Sequence, residues 1–97
     1  MRMMLRFSIP TERGNEAFKD MSLGKINEAV MKHIKPEAAY FGLVNGHRGG
    51  MYFFNLAEPS DIIGSLEPLF LGLNAAIELT PMMSVDDLQK GFANFAP

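Results

Sequence analysis

Arg6 and Glu78 form the polar pair with the clearest chemical meaning in this sequence. Each stands between apolar neighbours, in Leu5-Arg6-Phe7 and Ile77-Glu78-Leu79. Alternation with a period of two sends polar and apolar side chains of a strand to opposite faces, so both charges are expected on the side of a sheet away from the core. An unpaired charge enclosed there is costly. One use of the pair is a cross-strand salt bridge at or near an interface between two copies of the chain. The other is a site in which Arg6 holds an anionic ligand and Glu78 acts as base or hydrogen-bond acceptor, with Ser8, Tyr40, Asn55 and Thr80 lining the same cavity. These residue types define a candidate binding site but single out no catalytic residue, and they imply no cofactor.

HRGGMYFFNL, from His47 to Leu56, sets basic, glycine and aromatic residues side by side. A phosphate cradle needs glycines that turn directly into a helix N-terminus, whose N–H groups hold the anion. Here the glycines lead into a β-rich run, so they read as hairpin residues. In the RNA-recognition pattern, aligning Arg48 and Gly49 puts Gly50 and Asn55 where aromatics belong and Met51 where a small residue belongs. Only Tyr52 is a stacking residue in place. His33 lies one position from an apolar helical stripe and His47 in the expected hairpin loop, and neither has a carboxylate at metal-ligand spacing. No metal site is expected.

Ninety-seven residues fit one domain, 1–97, and a chain this short buries only about 60 to 65% of its unfolded surface. With 47% hydrophobic residues, including eight Phe and eight Met, it has enough for a core and for an additional apolar surface, which points to a homodimer. Nine basic and eleven acidic residues leave a net charge of −2 with no basic block, so no attraction to nucleic acid is expected. The absence of Cys rules out disulfides and thiolate chemistry and fits a cytoplasmic protein. The apolar start MRMMLRF is broken by Arg2 and Arg6, and no apolar run approaches the roughly 20 residues of a membrane span. A soluble, unexported chain is expected.

The elements that must position the polar residues follow from periodicity. Met3, Leu5, Phe7 and Ile9 alternate with Met4, Arg6 and Ser8 in a strand that Pro10 ends. Thr11 is a plausible N-cap for a helical stretch over 12–35, with a break near Met21–Gly24 and Ser22 as a second cap. Ala38–Val44 and Gly50–Leu56 read as strands around NGHRG, where Asn45 and Gly46 suit a tight turn and Gly49 and Gly50 a wider loop or bulge. Ser60 can cap a helix to Leu73 that Pro68 should kink. Ala76–Met83 reads as the last strand, and Ser84 with Asp87 has capping-box spacing for a short helix reaching about Gly91, with Phe92 and Phe95 in a tail.

Strand, helix, strand, strand, helix, strand is the α+β, ferredoxin-like βαββαβ order. Right-handed crossovers place both helices on one face of an antiparallel sheet ordered 4-1-3-2 and leave Met4, Val44, Met51, Phe53 and Met82 on the other. With its size and its short extra helix and aromatic tail, the whole chain resembles the dimeric α/β-barrel superfamily, in which two such sheets pack face to face. The resemblance implies a homodimer that encloses a small organic ligand, anionic or neutral, in the barrel, with or without cofactor-free chemistry. The alternative is a structural or interaction module with a packed barrel. Monooxygenases of the superfamily generally use a Trp with polar partners, and haem-degrading members a His on the second helix. This chain has no Trp, and Ser60 to Leu73 contains no His, so those activities do not carry over.

Overall fold

A computed structural model describes residues 1–95; the last two residues of the expected 1–97 domain lie outside the described residues. The elements follow in the order β1 (Arg2–Ser8), α1 (Thr11–Lys19), α2 (Ser22–Ile34), β2 (Ala38–Val44), β3 (His47–Asn55), α3 (Asp61–Leu73), β4 (Ala76–Pro81) and α4 (Val85–Phe95). The strands form one sheet ordered β2-β3-β1-β4 with every neighbouring pair antiparallel. Read from the other edge, this is the expected 4-1-3-2.

The period of two in β1 decides where the core sits. Met3, Leu5 and Phe7, with Ile9 beyond the strand, are buried together with Tyr52 and Phe54 of β3, under Ala17 of α1, Val30 and Ile34 of α2 and Leu69 and Leu73 of α3. Tyr52 is the largest side chain with no exposure. Its ring stacks on Phe7 at 5.6 Å and meets Phe41 edge-on at 5.8 Å, and its hydroxyl donates to Asn27 Oδ1 on α2. Burial pushes the Tyr52 phenol up to about 12, so it stays a neutral donor across the physiological range.

Local chemistry explains where the elements start and stop, and several starts differ from expectation. The interruption of the first helical stretch falls at Asp20–Met21 and leaves Gly24 inside α2. Met21 takes a left-handed conformation (φ 69°), and the Asp20 carboxylate accepts the Ser22 amide at 2.9 Å. Asp20 therefore does the capping expected of the Ser22 hydroxyl, and hydrogen bonding to Ser22 holds the Asp20 carboxyl below its usual range. Thr11 and Ser60 make no side-chain cap either. Thr11 is already the first helical residue, and its hydroxyl pairs with His47 Nδ1 at 3.1 Å, while Ser60 sits at the cap position with helical angles. Ser84 does cap: its hydroxyl accepts from the Asp87 amide at 3.1 Å and its own amide donates to Asp87 at 3.0 Å, the reciprocal pattern of a capping box.

The hairpin is tighter than expected. Asn45 and Gly46 both have positive φ (53° and 79°), the pattern of a type I′ turn, and His47 pairs directly with Val44. His47, Arg48, Gly49 and Gly50 are strand residues, not loop or bulge. α3 runs from Asp61 to Leu73 through Pro68 and ends where Asn74 turns left-handed. α4 continues through Gly91 to Phe95. Val85, Leu88, Phe92 and Phe95 keep helical spacing past the glycine, whose cost of about 1 kcal/mol does not stop the helix.

Candidate functional site

On the face away from the helices, register places Tyr40, Met51, Arg6 and Glu78 in one row across all four strands. Ala38, Phe53, Met4 and Thr80 form the next row, and Gly42, Gly49, Ser8 and Ala76 the row on the other side. Pairing of β1 with β4 sets Arg6 directly opposite Glu78, and Arg6 Nη1 donates to Glu78 Oε1 at 2.8 Å. Arg6 Nη2 also reaches Asn45 Oδ1 at 3.4 Å, a contact with no sequence signal because it depends on how the β2–β3 turn lies over the sheet. The two side chains are 29% and 61% exposed, so in this chain alone the pair contributes at most about 1 kcal/mol.

Within one chain the structure brings three of the six candidate residues together. Arg6, Ser8 and Glu78 border a common recess with Val44 and Asn45, of about 70 Å³, far below the roughly 300 Å³ at which small-molecule sites begin. Tyr40 is exposed on the edge strand and separated from Arg6 by Met51. Thr80 lies opposite Met4, two residues along β4 from Glu78. Asn55 is engaged elsewhere: its Oδ1 accepts the N-terminal ammonium at 2.9 Å, and that ammonium also donates to Leu56 O at 3.0 Å.

Beside Asn55 lies a charged cluster that sequence patterning missed. Arg2 makes a two-point ion pair with Glu37, and Lys35, Asn55 and Asp87 complete the rim of a 270 Å³ recess. Hydrogen bonding to Arg2 holds the Glu37 carboxyl below its usual range. The residues of this cluster are scattered along the chain from Arg2 to Asp87, so no local spacing announces it. The two histidines are engaged separately. The His33 ring packs against the α3 backbone at Gly64, and His47 meets Thr11. Among the described residues no group of three His, Cys, Asp or Glu could hold a metal ion.

The sheet face is not polar overall. Met4, Met51, Phe53 and Met82 are half-buried there, with Met83 exposed beside them. Val44, expected on this open face, is already buried in the single chain. It leans over Gly49 and borders the same recess as Ser8 and Ala76. After β4 comes α4, all of whose residues are exposed. The chain measures 56 × 27 × 18 Å with a radius of gyration of 15.4 Å, against about 12.5 Å for a compact chain of this length. α4, standing away from the body, accounts for the difference.

Fold and face together define a small α+β protein with an open, antiparallel four-stranded sheet and helices packed on one side. No protein-family model matches the chain, and no curated protein matches it in sequence. Among the described residues no helix is long and apolar enough to cross a membrane.

Proposed function

We propose that this chain is a ferredoxin-like self-association module, two copies of which pack sheet face against sheet face as a dimeric α/β barrel with α4 lying on the partner. The observation that carries this reading is α4. It is an 11-residue helix with a capping box and an apolar stripe of Val85, Leu88, Phe92 and Phe95, yet none of its residues is buried. An isolated helix of that length is marginal in water, so its stripe calls for a cover. The apolar residues of the uncovered sheet face need one too. In the barrel the Arg6–Glu78 pair becomes an interior cross-strand pair, and its geometry is already satisfied within one chain. Sedimentation equilibrium at micromolar concentration is expected to give a particle of twice the 10.8 kDa chain mass. A monomer under those conditions overturns the reading.

A second reading adds a small organic ligand, anionic or neutral, to the barrel interior, with or without cofactor-free chemistry. It is favoured by the polar groups of Arg6, Ser8, Tyr40, Glu78 and Thr80, which share the face that pairing encloses. Glu78 already occupies one side of the Arg6 guanidinium and the adjoining recess is small, so a packed interior remains the leading reading. If an anionic ligand binds here, Arg6→Met is expected to abolish its binding in a calorimetric titration, and retained affinity removes Arg6 from the site.

A further inference from the structure

An apolar recess lies on the other side of the sheet, where α1 and α2 part at Asp20–Met21 and leave a gap over β2 and β3. It measures about 700 Å³, within the roughly 300 to 1,000 Å³ of small-molecule sites. Phe7, Leu69 and Leu73 lie at its base. Phe18, Met21 and Phe41, all exposed, stand around it.

The polar groups bordering this recess are few, and they are donors. Arg48 is its one charged residue among the described residues. The stem of Arg48 packs on Gly14, its guanidinium lies 5.6 Å over the Phe18 ring, and Nη1 donates to Asn15 Oδ1 at 2.9 Å. Among the described residues no carboxylate is within ion-pair distance of it, so its remaining N–H groups are available to an anion. Asn27 is the one other polar side chain at the recess. Its Oδ1 is taken by the Tyr52 hydroxyl, while its Nδ2 has only the Met31 sulfur at 3.6 Å.

We propose that this recess binds an apolar carboxylate, with the hydrocarbon or aryl body between Phe18, Phe41 and Leu69 and the carboxylate on Arg48 at the mouth. One fixed guanidinium matches one carboxylate in charge and in planar geometry. A dianion would leave half its charge unpaired beside an apolar wall. The exposed aromatic rim accepts the apolar body and removes it, and itself, from water. The site lies on the helix side of the sheet, so it stands or falls independently of the barrel.

Decanoate is the probe and 1-decanol its neutral counterpart, titrated into the full chain by calorimetry with amide NMR shifts as a second readout. Decanoate is expected to saturate one site per chain and to shift the amides of Phe18, Phe41 and Arg48. Decanol is expected to bind about tenfold more weakly, the worth of one charge-assisted contact. Arg48→Met should lower decanoate affinity about tenfold and leave decanol unchanged, while Arg48→Lys keeps part of the difference. Phe18→Ser, a change at an exposed position, should weaken both probes. The proposal is overturned if decanoate fails to saturate, if Arg48→Met leaves the preference for decanoate over decanol intact, or if Arg6→Met and not Arg48→Met removes binding.

Discussion

Gly49→Ala is expected to unfold the protein or to lower its melting temperature by at least about 12 °C, whereas Gly42→Ala raises it by less than about 8 °C. The two glycines face each other across the β2–β3 ladder, so composition and strand position are nearly the same for both. Their surroundings are not. A Cβ on Gly49 would sit 2.1 Å from the carbonyl oxygen of Phe7, and a Cβ on Gly42 would meet nothing within 4 Å. The obstruction at Gly49 is backbone of the neighbouring strand, held by the pairing of Ser8 with Gly49 and of Phe7 with Gly50. It cannot swing aside as a side chain can, so relief means parting β1 from β3 in the middle of the sheet. Overpacking of this kind costs about 3 kcal/mol or more, against a total of about 5–15 kcal/mol for a domain. At Gly42 the added methyl group restricts the unfolded chain at little native cost, which stabilises by up to about 1 kcal/mol. Thermal unfolding followed by circular dichroism compares the two directly. A Gly49→Ala protein that melts with the wild type shows that β1 and β3 do not approach as described.

The same glycines show why some of the structure was legible in the sequence and some was not. Glycine marks both a turn and a close approach of two backbones, and a single sequence does not say which. By its glycines HRGG reads as a hairpin exit with room for a wider loop or bulge, although Asn45-Gly46 alone makes the turn. Features that depend on one element were clear: the alternation of β1, the stop at Pro10 and the Ser84–Asp87 capping box. Caps involving competition were not, because Thr11 and Ser60 have the right chemistry one position away from, or in the wrong backbone state for, the cap they were assigned. Strand parity assigned Arg6, Ser8, Tyr40, Asn55, Glu78 and Thr80 to a common face, and register agrees. Parity carries no information about distance along the sheet. Parity groups Asn55 with Arg6, yet its hydrogen-bond partner is the N-terminal ammonium, and parity is silent on Asn45, a turn residue that touches Arg6. The recess at Arg48 lies where the first helical stretch breaks, at Asp20–Met21, and its lining comes from residues far apart in the sequence, from Phe7 to Leu73.

Leu88→Ser and Phe92→Ser are expected to weaken self-association about thirty-fold to a thousandfold each, the effect of removing a large apolar anchor worth about 2–4 kcal/mol. Within one chain Leu88 is 40% and Phe92 67% exposed, so neither replacement opens a cavity, and exposed substitutions of this kind change a monomer's stability by less than about 0.5 kcal/mol. Any larger effect must come from a surface that covers them. The two possibilities separate on concentration dependence. If α4 lies on a second copy, the wild-type melting temperature rises with protein concentration, because only the folded state associates. The variants should lose that dependence and sediment as monomers while keeping their β-sheet signal. The Arg2–Glu37 pair and the Asn55 tie to the N-terminus lie inside one chain and are expected to persist in the monomer. If the variants remain dimeric, α4 is not part of the interface. If wild type and variants are both monomeric with equal melting temperatures at all concentrations, the apolar stripe of α4 has no partner in a second copy, and the barrel falls with it.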